Sequence, residues 1–116
     1  MVVESSEKLC LVYMTSGSLD EAKKIGKTLV EQNLVACVNL LENMTSIYKW
    51  GEKLEEDHEV VIIAKTRKNL MPKLIETVNS LHSYDCACIL ELPIQGGNPE
   101  FLNWIKAETS DTEERQ

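Results

Sequence analysis

Four cysteines, four methionines and two histidines carry the soft-donor and neutral-pH proton chemistry available to this 116-residue chain. The tightest grouping is Cys86-Ala87-Cys88. On a strand, residues two apart share a face, so both thiols would point the same way. Such a pair can chelate a soft ion, although two ligands alone make a weak site. The plainer reading is structural. Cys10, Cys37 and the Cys86/Cys88 pair each fall inside an apolar, strand-like run, and free cysteine is among the most buried residue types. Met14 and Cys37 sit in different runs and read as core by position. His82, in Leu81-His82-Ser83-Tyr84, either serves a site or answers the negative end of a helix dipole. His58 follows Glu55, Glu56 and Asp57 and reads as a solvated loop residue. Glu52, Glu55, Glu56, Asp57 and Glu59 form an acidic run. Its usual meaning is a solvated turn, and its sharper one a weak surface for hard cations. No CxxC, HExxH, GxGxxG or P-loop is present. No nucleophile, base and orienting group can be assembled from these residues, so no catalytic residue is assigned and an enzyme is not expected.

Charge and composition narrow the partners. The formal net charge is −7, and Lys and Arg are scattered rather than gathered into a stripe. Phosphate backbones repel such a chain, so neither nucleic acid nor an anionic membrane is an expected partner. No apolar run approaches the roughly 20 residues that cross a bilayer. Residues 1–8 lack a basic stretch followed by an apolar one, the pattern of a signal peptide. The expected compartment is the cytoplasm, where thiols stay reduced.

The elements that must position these residues follow from pattern. Residues 8–15 (KLCLVYMT) read as a first strand. Ser18 and Glu21 have capping-box spacing, and Ala22, Ile25 and Leu29 give a helix over 19–32, stopped at Asn33. Residues 34–41 read as a strand buried on both faces, continued over 43–50 after a bulge near Glu42-Asn43. A polar turn over 51–57 leads to a strand over 59–65, completing a long hairpin. Thr66 is the expected cap of a second helix carrying Leu70, Leu74, Val78 and Leu81 on one side. A fourth strand is expected over 85–94, with Pro93 ending its pairing or marking an edge. Asn98-Pro99 opens a short third helix.

The order is that of an α+β, ferredoxin-like β-α-β-β-α-β sandwich with a long β-hairpin and a short C-terminal helix. One domain over 1–116 is expected, with its globular part at about 8–107 and a frayed acidic tail over 108–116. Two helices cover one sheet face, yet alternation sends Val60 and Ile62 one way and Val61 and Ile63 the other. The hairpin also carries Ile47, Tyr48 and Trp50 near its tip. An uncovered apolar face marks an interface, so an oligomer is expected.

Several segments together resemble the CutA family of divalent-cation tolerance proteins. They are Val35-Ala36-Cys37-Val38-Asn39, Ser46-Ile47-Tyr48-Lys49-Trp50, Ile63-Ala64-Lys65-Thr66, Leu81-His82-Ser83-Tyr84-Asp85 and the run from Gly97 to Trp104. The resemblance covers about Leu9 to Ile105. It implies a cytoplasmic homotrimer linked to tolerance of divalent metals, copper above all, with hairpins packed between subunits. Tyr48, Trp50, Lys65, Tyr84 and Trp104 would lie at the trimer interface or its cleft. The family's copper ligands, two cysteines and a histidine, fall on Met14, Cys37 and His82. Met14 replaces the first cysteine, and its thioether suits copper(I). The family's Pro-Glu falls on Ala87-Cys88, its proline after the histidine on Ser83, and its Trp-x-Gly turn on Trp50-Gly51. A displaced soft-metal site using Cys86 or Cys88 with His82 is one consequence. The implied function is a trimeric, copper-type metal-binding protein in metal homeostasis. The alternatives are a PII-like trimeric signalling module holding a small ligand between subunits, or a structural trimer anchoring another protein.

Overall fold

Strand-forming residues that alternate inward and outward build most of this molecule. The computed structural model describes residues 8–109; the acidic stretch at 110–116 lies outside the described residues, as do residues 1–7. The elements are β1 (Leu9–Ser16), α1 (Leu19–Glu31), β2 (Cys37–Trp50), β3 (Lys53–Arg67), α2 (Met71–Leu81), β4 (Ile89–Pro93) and α3 (Pro99–Glu108), with one 3-10 turn at Lys68–Leu70. The α+β class and the β-α-β-β-α-β order are as the sequence implies. The four strands form one antiparallel sheet in the order β2-β3-β1-β4.

Register assigns the faces, because residues paired across strands share a side. Cys10, Val12 and Met14 pair with Thr66, Ala64 and Ile62. They meet Ala22, Ile25 and Leu29 of α1 and Leu74 and Val78 of α2 in the main core. The opposite face carries Leu11, Tyr13, Ile63, Leu90 and Leu92. Among the described residues, one end of it is covered, where Ile105 of α3 packs on Leu9 and Ala36.

Local signals set the helix ends. The Ser18 side chain accepts the Glu21 N–H at 3.1 Å, Asn33 closes α1 at a φ of 59°, and Asn98 caps α3 by accepting the Glu100 N–H at 3.1 Å. The capping box is only half made. The Glu21 carboxylate turns instead to the Ser16 hydroxyl at 2.6 Å and the Ser83 N–H at 2.9 Å. The bulge stands where expected: two residues of β2, Glu42 and Asn43, separate Leu41 from Met44, opposite a single residue between Val61 and Glu59. Asn43 takes the left-handed φ of 64° that asparagine tolerates.

Four boundaries differ from the sequence reading, each for a physical reason. The turn shrinks to Gly51 and Glu52, with Gly51 at a φ of 66°. Residues 53–58 are strand because the backbone ladder to β2 holds them, Ser46 opposite Asp57 and Thr45 opposite His58; His58 is therefore a strand residue. β2 begins only at Cys37. Thr66 is no helix cap: it ends the sheet, and its hydroxyl donates to the Leu34 carbonyl at 2.6 Å. The second helix starts at Met71, with Pro72 in its first turn. β4 is confined to Ile89–Pro93, and residues 85–88 are irregular. Continuing β4 backwards would pair it with Thr15, whose carbonyl is taken by His82 at 2.7 Å. Pro93 stays in the ladder opposite Cys10, as an edge strand permits.

Gly26 lies in the middle of α1, where glycine costs about 1 kcal/mol relative to alanine. A Cβ there would sit 2.8 Å from Cγ2 of Val38, a stiff β-branched neighbour. Gly26→Ala should therefore destabilise by about 1 kcal/mol, overpacking outweighing the propensity gain. In urea denaturation at fixed protein concentration, adding Val38→Ala should recover stability beyond additivity. Additive losses would refute the clash.

Candidate functional site

The expected soft ligands do not meet within the chain. Met14 is fully buried on the helix-covered face. Cys37 pairs with Lys65, which is level with Leu11, and so belongs to the open face. It stands two strands and three residues from Met14. At about 3.4 Å per residue and about 4.8 Å per strand their backbones are some 14 Å apart, with the sheet between their side chains.

His82 is committed as well. It follows α2 as its C-cap, and its side chain is 1% exposed. Nδ1 lies 3.1 Å from the Tyr84 backbone nitrogen. An N–H can only donate, so Nδ1 carries the lone pair and Nε2 the proton. Nε2–H then donates to the Thr15 carbonyl at 2.7 Å. The ring straps residues 82–84 to the end of β1, and no ring nitrogen is left for a metal. Among the described residues, no group of three or more His, Cys, Asp or Glu side chains could hold an ion. The trio Met14, Cys37 and His82 does not fit a copper ion within one chain.

A different set converges at the other end of the open face. Tyr48, Lys49, Trp50, Glu55, Glu59, Tyr84, Asp85 and Cys86 line a cleft of about 650 Å³ between the hairpin and the segment after α2. The Tyr84 hydroxyl donates to Glu59 at 3.1 Å. Burial and the Glu59 charge push its pKa up. The Tyr48 hydroxyl donates to the Asp57 carboxylate, and that bond, with burial and the surrounding acids, raises it to about 12. Both phenols are therefore neutral donors at any ordinary pH. Cys88 sits half-buried beside this cleft, its thiol raised by burial, then by Glu59 and Cys86, and partly offset by a hydrogen bond with the Thr15 side chain. Cys86 is exposed, and all four cysteines are free thiols. Cys10 is buried against Glu91 and raised to about 11, an inert core thiol.

Of the residues expected at an interface or cleft, Tyr48, Trp50 and Tyr84 come together. Lys65 lies elsewhere on the open face, donating to the Asn39 side-chain oxygen. Trp104 stacks on Phe101 along α3, with ring centroids 5.3 Å apart. Sequence reasoning missed the roles of Thr15 and Glu21. Each is defined by contacts with residues more than sixty positions away, a distance at which no spacing pattern operates.

Burial alone would raise the Glu21 carboxyl, but bonds from Ser16 and Ser83, with His82 nearby, outweigh it and hold it below the usual carboxylate range. Glu21 thereby joins β1, α1 and the segment that carries the cysteines.

Comparison with known proteins places these features. The family model described as CutA1 divalent ion tolerance protein matches residues 10–108. The chain is 43% identical over 97 residues to Protein CutA of Mus musculus, covering 84% of this chain and 55% of that protein. It is 42% identical over 99 residues to the divalent-cation tolerance protein CutA of Thermus thermophilus, covering 85% and 96%. The chain thus spans little more than half the mouse protein's length. Among solved structures, CutA1 from Oryza sativa superposes with a TM-score of 0.89 at 33% identity, covering 94% of this chain and all of that one. The Thermus thermophilus protein gives 0.86 at 41%, covering 88% and 99%.

The Glu21 contacts carry a pH signature. Its folded pKa is depressed below an unfolded value of about 4.3. Its stabilisation is therefore complete above that value and is lost as the pH falls through the folded one. Glu21→Gln should lower stability at pH 7 by about 1 kcal/mol, and the gap from the parent should narrow as the pH falls below the unfolded value and through the depressed folded one. A gap independent of pH in guanidinium titrations would refute the charged network.

Proposed function

The chain belongs to the CutA1 divalent ion tolerance protein family, and on that premise we propose that it acts as a cytoplasmic homotrimer in metal homeostasis. It binds copper or another divalent cation and catalyses no reaction. The observation that carries this reading is the open sheet face. Leu90 is 57% and Leu92 46% exposed in the subunit, and Leu41 is 55% exposed. The hairpin stretches the subunit to 51 Å against 26 and 22 Å in the other directions. Ile47, Trp50 and Leu54 stand 64, 75 and 71% exposed along it. Apolar area on this scale favours burial against other copies at about 25 cal/mol per Å². A three-fold arrangement lets each arm lie along a neighbour and gives the interface set Tyr48, Trp50, Lys65, Tyr84 and Trp104 a surface to meet.

A metal held by such an assembly draws its soft donors from side chains that face the boundary. Cys37, on the open face of the sheet, and Cys88, just ahead of β4, are the candidates for that condition. Met14 and His82 serve the fold in each subunit. Free thiols agree with a reducing compartment.

Sedimentation of the reduced protein should give three times the chain mass of 13.1 kDa, and Leu90→Asp should shift it to smaller species. Calorimetric titration with copper(II) and with zinc should give dissociation constants well below ~1 mM, weakened by Cys37→Ala. A monomer, or binding no tighter than millimolar and unaffected by that substitution, would overturn the reading.

A further inference from the structure

Four segments far apart in sequence bound a second cavity, at the end of the sheet away from the hairpin cleft. The Lys68 N–H donates to the Lys8 carbonyl at 2.9 Å, and the Ile94 N–H to the Leu9 carbonyl at 3.0 Å. These bonds tie the start of β1 to the chain leaving β3 and the chain leaving β4. Arg67 anchors the remaining side: its guanidinium donates to the Lys106 carbonyl at 2.7 Å and to the Thr109 hydroxyl at 3.1 Å, at the last turn of α3. The cavity measures about 580 Å³, within the ~300–1,000 Å³ of small-molecule sites.

Its lining holds two chemistries. Leu9, Ile94 and Leu102 supply apolar surface, while Lys8, Lys68 and Lys106 stand around it with the acid Glu91. Lys68 and Glu91 neutralise each other, Nζ to Oε2 at 2.7 Å. Among the described residues, no carboxylate lies within ion-pair distance of Lys8 or Lys106. Three lysines against one glutamate leave two positive charges here, in a chain of net charge −7. The hairpin cleft has the opposite sign, with Glu55, Glu59 and Asp85 against Lys49. The two cavities therefore favour ligands of opposite charge.

We propose that this cavity binds a small amphipathic anion, a carboxylate on an apolar body, with its head at Lys8 and Lys106 and its body on Leu9, Ile94 and Leu102. Lysine is a point charge on a flexible stem rather than a fixed fork, so two unpaired lysines can settle on one anionic head. Their stems lie along apolar surface while the ammonium groups stay wet, which puts the head at the mouth and the body inside. Glu91 adds a negative charge to the same lining. It disfavours a second charge on the ligand and so selects a carboxylate over a phosphate. The site goes beyond metal handling and uses none of the residues on which that reading rests.

Gly96 offers a variant that fills the cavity without straining the chain. It belongs to the lining, its φ lies outside the left-handed region, and a Cβ built on it meets nothing within 4 Å. The test is calorimetric titration of the full chain with octanoate at low salt, with inorganic phosphate and 1-octanol in parallel. The expected result is one octanoate per chain with a dissociation constant below ~1 mM, and binding of phosphate and of octanol about tenfold weaker or more. Gly96→Phe should weaken octanoate by about tenfold, and Lys8→Gln and Lys106→Gln by about threefold each. Lys106→Gln keeps the carbonyl that Arg67 holds, and circular dichroism and melting check the fold of every variant. High salt should weaken octanoate in the parent more than in the double lysine variant. Octanoate binding that survives Gly96→Phe, or that ignores both lysine substitutions, would overturn the site. Phosphate held as tightly as octanoate would overturn the apolar half of the proposal, and octanol held as tightly would overturn the charged half.

Discussion

β1 is hydrogen-bonded on both sides, to β3 over all eight of its residues and to β4 over five. A strand held this way can send its side chains only up or down, and every other feature follows from that. Upward go Cys10, Val12 and Met14 into a core roofed by two helices. Downward go Leu11 and Tyr13, with Ile63 from β3 and Leu90 and Leu92 from β4, and among the described residues α3 covers that side at one end, by Leu9 and Ala36. The same rule separates Met14 from Cys37. Their side chains occupy opposite sides of a hydrogen-bonded sheet, and no rotamer change brings them together.

The end of β1 is where sheet, helix and cleft are joined. The Thr15 carbonyl accepts from His82, the Thr15 side chain meets Cys88, and Ser16 donates to Glu21. Glu21 in turn receives the Ser83 N–H. These groups satisfy one another where a strand stops and a helix begins, a place that otherwise leaves backbone groups unpaired. A histidine that a sequence motif offers as a ligand is here spent on holding a loop.

What could be read from the sequence was local. β1, α1 and α3, the bulge at Asn43 and the caps at Ser18 and Asn98 each follow from a few neighbouring residues. The aromatic hairpin was visible at Tyr48 and Trp50. The polar part of β3 was not. Its strand state comes from hydrogen bonds to β2 rather than from apolar alternation, so Glu55, Glu56, Asp57 and His58 resemble a loop until the ladder is seen. The late start of β4 and the end of Thr66's role as a cap depend on contacts with Thr15 and Leu34. The cleft was legible in part, through its aromatic residues, and its acidic wall was visible only as a run of charge.

The extra residue in β2 acts as a phase shifter. Before it, the odd-numbered positions Cys37, Asn39 and Leu41 occupy the open face; after it the even-numbered ones do, and the Tyr13 hydroxyl reaches Met44 at 3.4 Å on that side. Tyr48 and Trp50 reach the cleft by that change of parity. Pairing the two strands straight through, with Asn43 kept and the bulge ironed out, would set Asn43 opposite Glu59, turn both aromatic rings to the other side of the arm and bring Ile47 and Lys49 round in their place. The cleft is thus a matter of counting: the bulge takes up one residue of β2, and the aromatic positions after it therefore meet Glu55 and Lys53 on the open side.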